Sequence, residues 1–107
     1  MHNFKDLRVW QKSIELITDI YKLLASFPTD EKFGLISQLK RAAVSVPSNI
    51  AEGAGRNSNK EFNHFLSISL GSLFELETQL IISKNLNLIN SDSLLEMIII
   101  KYLNYRK

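Results

Sequence analysis

The stretch from Gln38 to Gly55, QLKRAAVSVPSNIAEGAG, limits what this chain can fold into more than any other. Drawn as one helix from Phe33 to Glu52, it sets Leu35, Ile36, Leu39, Ala42, Ala43, Val46 and Ile50 on one apolar arc, the spacing of a core-facing helix. Ala42 and Ala43 are small enough to let a neighbouring helix approach closely. Beside the arc, Gln38, Arg41, Ser45, Asn49 and Glu52 recur every three or four residues and stack along one face. The plain explanation is a solvated surface, since helix surfaces are usually polar. Composition favours another: serine and asparagine are weak helix formers, and a freely wetted face tends to use lysine and glutamate instead. The stripe therefore reads as a hydrogen-bonded seam between helices.

Pro47 lies inside this pattern. It offers no N–H to the carbonyl of Ala43, and its ring crowds that turn, at a cost of about 3 kcal/mol unless the helix bends. Val46, just before it, is pushed away from helical geometry. Either one kinked helix results, or a break followed by a short helix capped by Ser48 or Asn49. The apolar arc keeps its phase across Pro47, which favours the kink, with Ser45 and Ser48 placed to bond freed backbone groups. Gly53 and Gly55 then end the helix.

The rest of the chain supplies three more helices. The first is expected over Asp6–Ser26, where Trp10, Ile14, Ile17, Tyr21 and Leu24 form one apolar stripe and Leu16, Ile20, Leu23 and Phe27 a second beside it. Phe27-Pro28-Thr29-Asp30 stops that helix, and Thr29 or Asp30 is suited to cap the next. Ser58 and Glu61 have the spacing of a capping box, so a third helix starts there and extends to Asn85. Its core stripe is Phe62, Phe65, Leu66, Ser69, Leu73, Leu76 and Leu80. On one flank, Ser72, Glu75 and Gln79 face the polar stripe of the second helix, with Arg41 expected to pair with Glu75. On the other, Leu70, Phe74 and Ile81 are apolar groups that a lone bundle leaves partly wet, as at an oligomer interface. A fourth helix, Leu94 to about Tyr105, is apolar nearly all round. No pair of strands is evident, so the expected fold is all-α: a single domain, residues 1–107, built as an antiparallel up-and-down four-helix bundle with its second helix kinked at Pro47.

With 107 residues, the chain is long enough to bury a core without staples. It has no cysteine, which excludes disulfides and thiolate metal sites and fits a cytoplasmic setting. The apolar runs are short and interrupted, so no membrane span is expected. A net charge of +2 is too mild to imply nucleic-acid binding by bulk electrostatics. Locally, Lys5, Arg8 and Lys12 make the densest basic cluster, a solvated face or a set of phosphate contacts.

Glu61 and His64 have the spacing found on one helix of di-metal bundles, but those sites need a second such motif and two further glutamates, and neither metal nor cofactor is expected. Arg56 and His64 are separated by seven residues, too many for the arginine–histidine motif of four-helix RNases. Gly53-Ala54-Gly55 lacks the Gly-Lys-Ser/Thr of a phosphate-binding loop, and no nucleophile motif occurs. The chain reads as non-enzymatic.

Phe4-x-x-Leu7-x-Val9-Trp10-Gln11-Lys12, then Phe27-Pro28, then the block from Phe33 to Gly53 containing Arg41-Ala42-Ala43-x-Ser45-Val46-Pro47-Ser48-Asn49-Ile50-Ala51-Glu52-Gly53, then Glu61-Phe62-x-x-Phe65-Leu66 and Gly71-Ser72-x-x-Glu75-Leu76-Glu77, resemble the bacterial 23S rRNA-intervening-sequence proteins. The resemblance implies a four-helix bundle assembled into a ring-shaped homopentamer. It carries no catalytic residues, because the family name records a genomic location and not an activity. A related bundle, the accessory protein of diversity-generating retroelements, is a basic pentamer that binds a reverse transcriptase and nucleic acid; this chain is less basic. The resulting expectation is a non-catalytic oligomeric accessory protein, RNA- or nucleoprotein-associated through Lys5, Arg8, Lys12, Arg56 and Lys60, or alternatively a protein-interaction scaffold with a polymerase-like partner. Gln38, Arg41, Ser45, Asn49, Glu52, Ser72, Glu75 and Gln79 are assigned to the inter-helix network, and Leu70, Phe74 and Ile81 to the oligomer interface.

Overall fold

A computed structural model describes residues 1–31, 34–89, 96 and 98–103. Three α-helices carry the fold: α1 (Arg8–Leu24), α2 (Leu35–Ala54) and α3 (Asn59–Asn85), with no strand among the described residues. Of the fourth helix expected over Leu94–Tyr105, Glu96 and Ile98 are helical and Ile99–Leu103 form a π-helical turn; its other residues lie outside the described set.

The first helix is shorter than its periodicity suggested. A 3-10 turn, Phe4–Asp6, precedes it, capped by Asn3, whose Oδ1 accepts from the Lys5 amide at 3.3 Å. Leu7 is extended, so Lys5 belongs to this turn and does not share a helix with Arg8 and Lys12. The N-terminal segment folds back: the His2 amide donates to the Ala54 carbonyl at 2.8 Å, and the His2 ring lies 5.0 Å from that of Phe62. Of the two apolar stripes on α1, the one through Leu16, Ile20, Leu23 and Phe27 is buried; on the other, Ile14 and Tyr21 are exposed.

A second 3-10 turn, Thr29–Glu31, occupies the place where Thr29 or Asp30 was expected to cap α2. The helix instead begins after Gly34 and has no side-chain cap. It then runs unbroken through Pro47, so no second helix starts at Ser48 or Asn49. Carbonyls around the proline accept side-chain donors: Ser48 Oγ bonds Val44 O at 2.8 Å, and Asn49 Nδ2 bonds Ser45 O at 2.8 Å. Leu39, Ala42, Ala43 and Ile50 are buried as the arc requires. Gly55 caps the helix with ordinary helical backbone, φ −79°. Gly53 serves packing, not conformation, because a Cβ there would stand 2.7 Å from Phe65 Cβ.

Ser58 caps α3 as expected, its Oγ accepting from the Glu61 amide at 3.2 Å, but the reciprocal half of the box differs: the Glu61 carboxylate accepts from the Ser58 hydroxyl at 3.3 Å. At the other end of α3, Asn87 takes a left-handed conformation, φ 60°, which asparagine tolerates better than most residues. The Asn87 and Leu88 amides then bond back to Lys84 and Ser83 carbonyls, a Schellman closure.

The core gathers Leu16, Ile20 and Leu23 from α1, Phe27 from the bend that follows it, Leu39, Ala42 and Ala43 from α2, and Leu76 and Leu80 from α3, together with Ile98, which is fully buried. Tyr102 fastens the C-terminal turn to α1 by donating to Asp19 Oδ2 at 2.6 Å. By length and composition alone, α3 meets the measure of a membrane-crossing helix, a measure that core helices meet as well; 22% of its most apolar stretch is buried.

Candidate functional site

The α2–α3 seam is real in its centre and comes apart towards its ends. Ser45 Oγ and Ser72 Oγ lie 2.8 Å apart, and Asn49 Nδ2 donates to Ser45 Oγ at 2.9 Å, so three of the expected network residues form one hydrogen-bonded unit between the helices. Ser69 adds a second bond, donating to the Val46 carbonyl at 2.9 Å while itself buried. By spacing alone Ser69 falls on the core stripe with no partner; its signal is a serine amid leucines, opposite a proline-containing turn. Glu52 turns instead to Arg56 within the same polypeptide turn, at 2.6 Å, and the Arg56 guanidinium also stacks 4.8 Å from the Phe65 ring.

The Arg41–Glu75 pair does not form. Both side chains are exposed, so each keeps its hydration, and Glu75 Oε1 accepts from Gln79 Nε2 at 3.3 Å. Gln38 is exposed as well. Gln79 is buried, and its Oε1 has no hydrogen-bond partner.

The basic residues gather at one end, where the N-terminal turn meets the close of α2. Phe4, beside Lys5, lines a shallow groove with Ser48, Ala51, Glu52, Gly55 and Arg56. Lys60 is exposed in the first turn of α3, and Arg8 and Lys12 share a surface recess with Gln11 and Glu15. Acidic Asp6, Glu15, Glu52 and Glu61 are interspersed among them. Arg56, already paired, is the least available of the five. His64 is exposed with its ring 5.4 Å from Phe65, while Glu61 is engaged with Ser58.

The apolar row on α3 stands out more strongly. Leu70, Phe74 and Ile81 are 46%, 40% and 53% exposed, on the side of the helix turned away from the core. Ile14 and Tyr21 of α1 and Val44 of α2 are exposed as well.

A family model for the 23S rRNA-intervening sequence proteins matches residues 5–100, which span all three helices and the seam between α2 and α3. The chain belongs to that family. Among curated proteins, none matches it. For a 23S rRNA-intervening sequence protein the family description supplies no reaction and no ligand, so what the surfaces do has to be argued from their own chemistry.

Proposed function

We propose that the chain is a non-catalytic, self-assembling accessory protein: a four-helix bundle with α2 bent at Pro47, whose copies close into a homopentameric ring in the cytoplasm. The observation that supports this is the exposed row Leu70, Phe74 and Ile81. Fully burying a side chain of this kind gains about 1.5–3 kcal/mol, and each of the three is about half exposed, so covering each gains roughly half of that, still an incentive to associate. Exposed Ile14 and Tyr21 on α1 differ in kind from that row, and two unlike faces on one chain suit head-to-tail contacts, which make a ring where the rotation between copies closes. The fivefold count follows the family resemblance. Analytical ultracentrifugation in detergent-free buffer tests the reading: an oligomer is expected for the native chain and a monomer of unchanged helicity for Leu70→Glu with Ile81→Glu. A native monomer at micromolar concentration refutes it.

A second reading, association with RNA or nucleoprotein in the manner of the retroelement accessory protein, is favoured by Lys5, Arg8, Lys12 and Lys60, which have no ion pair among the described residues. Ring symmetry would repeat this modest group and turn weak contacts into avidity. Titration with structured RNA across a salt series is the test. Affinity should fall steeply with salt and vanish when Lys5, Arg8 and Lys12 become glutamate; no binding at low salt leaves the scaffold reading, with a protein such as a polymerase as partner.

A further inference from the structure

A cleft opens where α1, α2, α3 and the C-terminal turn meet, apart from the row to which self-association is assigned above. Its volume is about 110 Å³. Val9 and Leu16 of α1, Val46 of α2 and Leu73 of α3 form its walls, with Tyr102 on the remaining side. Leu16 and Val46 are buried and Val9 is 52% exposed, so the cleft runs from the core outwards past Val9. Helical spacing explains the lining on α1, since Val9, Lys12, Ser13 and Leu16 share one face.

Water is poorly held in this space. The Ser13 hydroxyl donates to the Trp10 carbonyl at 2.7 Å and the Tyr102 hydroxyl to Asp19 at 2.6 Å, so both hydroxyls of the lining spend their protons elsewhere. An ordered water needs roughly two to four polar partners, whereas an apolar cavity accepts an apolar guest. Scaled from a cavity of ~150 Å³ that takes benzene, there is room for about four carbon atoms.

Lys12 gives the cleft its charge. It is the one ionic side chain of the lining, it is exposed, and it has no ion pair among the described residues. A lysine so placed covers apolar surface with its methylene stem and leaves the ammonium in water at the edge. The carboxylates that follow on α1 do not line the cleft: Glu15 lies 3.9 Å from the Lys101 ammonium, and Asp19 accepts from Tyr102.

We propose that this cleft binds a short-chain aliphatic carboxylate, with its tail among Val9, Leu16, Val46 and Leu73 and its carboxylate at the Lys12 ammonium. Methyl NMR of the native chain, titrated with pentanoate, 1-pentanol and pentylamine, reads the site directly. The methyls of the four wall residues should shift saturably with pentanoate, at a dissociation constant on the order of 1 mM, as suits so small a ligand. Pentylamine should bind about fivefold more weakly or worse, because its charge meets that of Lys12. Lys12→Met keeps the stem and removes the charge, so it should abolish the preference for acid over amine while 1-pentanol still binds. Leu73→Phe fills the cleft from a half-buried position and should remove binding of all three; Lys12 is exposed, so its variant tests the site even where Leu73→Phe fails to fold. The Leu70→Glu, Ile81→Glu chain should bind pentanoate as the native chain does, which keeps this result separate from the fate of the ring. Absence of saturable shifts overturns the proposal, and so does equal affinity for acid and amine. Binding that survives in a folded Leu73→Phe chain also overturns it, since a surface contact with lysine alone would explain that. Ligand-free shifts of the Val9 and Leu16 methyls in the Leu70→Glu, Ile81→Glu chain overturn it too, by placing a side chain of a second copy in the cleft.

Discussion

Gly53 allows the sharpest quantitative test of the packing. It lies in the last turn of α2, where that helix comes closest to the start of α3. An added Cβ would stand 2.7 Å from Phe65 Cβ, 3.0 Å from Phe62 Cδ1 and 3.2 Å from the Phe62 carbonyl oxygen. Phe65 Cβ and Phe62 O are fixed to the backbone of α3, so no rotamer change relieves the clash and the helix must withdraw. Overpacking of this kind costs about 1–3 kcal/mol, and a contact to backbone-fixed atoms belongs at the upper end. Alanine also gains about 1 kcal/mol of helix propensity over glycine, because position 53 has ordinary negative φ. Gly53→Ala is therefore expected to lose about 2 kcal/mol net. Gly71 is the internal control: it lies within α3 with nothing inside 4 Å of its added Cβ. Gly71→Ala should gain up to about 1 kcal/mol. Urea denaturation followed by circular dichroism, at one fixed and low protein concentration, measures both. A Gly53→Ala chain as stable as the native one would refute the close approach of α2 and α3.

Two further outcomes follow from the same geometry. Arg41→Ala should change stability by no more than about 0.5 kcal/mol, as expected of an exposed side chain without partners; a loss above about 3 kcal/mol, the cost of orphaning a buried charge, would mean that the pair with Glu75 exists after all. Tyr102 should titrate above the usual 10.0 of a tyrosine, because burial disfavours the phenolate and the phenol donates to Asp19. Its folded-state pKa is the higher one, so its contribution is complete below the unfolded pKa and is lost as pH rises through the folded value. Tyrosinate absorbance should show one late-titrating ring that Tyr102→Phe abolishes; an unaltered titration curve would remove the Asp19 contact.

The helical class, the buried arc of α2 and the Ser58 cap were legible because each rests on spacing within one helix, which a sequence displays directly. Leu39, Ala43 and Ile50 are buried and Leu70, Phe74 and Ile81 are exposed as periodicity required. What was hidden depends on distances between helices. The polar stripe looked uniform in sequence, yet across the two helices it is Ser45, Asn49 and Ser72 that meet; Glu75 and Gln79 bond each other within α3, Glu52 finds Arg56 nearer and Arg41 stays in water. Local backbone choices also escaped periodicity: nothing in the Lys5, Arg8, Lys12 spacing reveals that extended Leu7 separates the first from the other two. The role of Gly53 was misassigned to helix ending, because a glycine chosen for close approach and one chosen for a turn are the same letter.

The short connection from Gly55 to Ser58 has a kinetic consequence. It joins two long helices, 20 and 27 residues, that share the most extensive interface among the described residues. Contacts so near in sequence cost little loop-closure entropy to form. The α2–α3 hairpin is thus the natural folding nucleus, assembled before α1 arrives to cover Leu39 and Ala43. Its amides, those around Pro47 included, should be the last to exchange with solvent deuterium, while the amides of α1 exchange through a partial opening that leaves the hairpin intact.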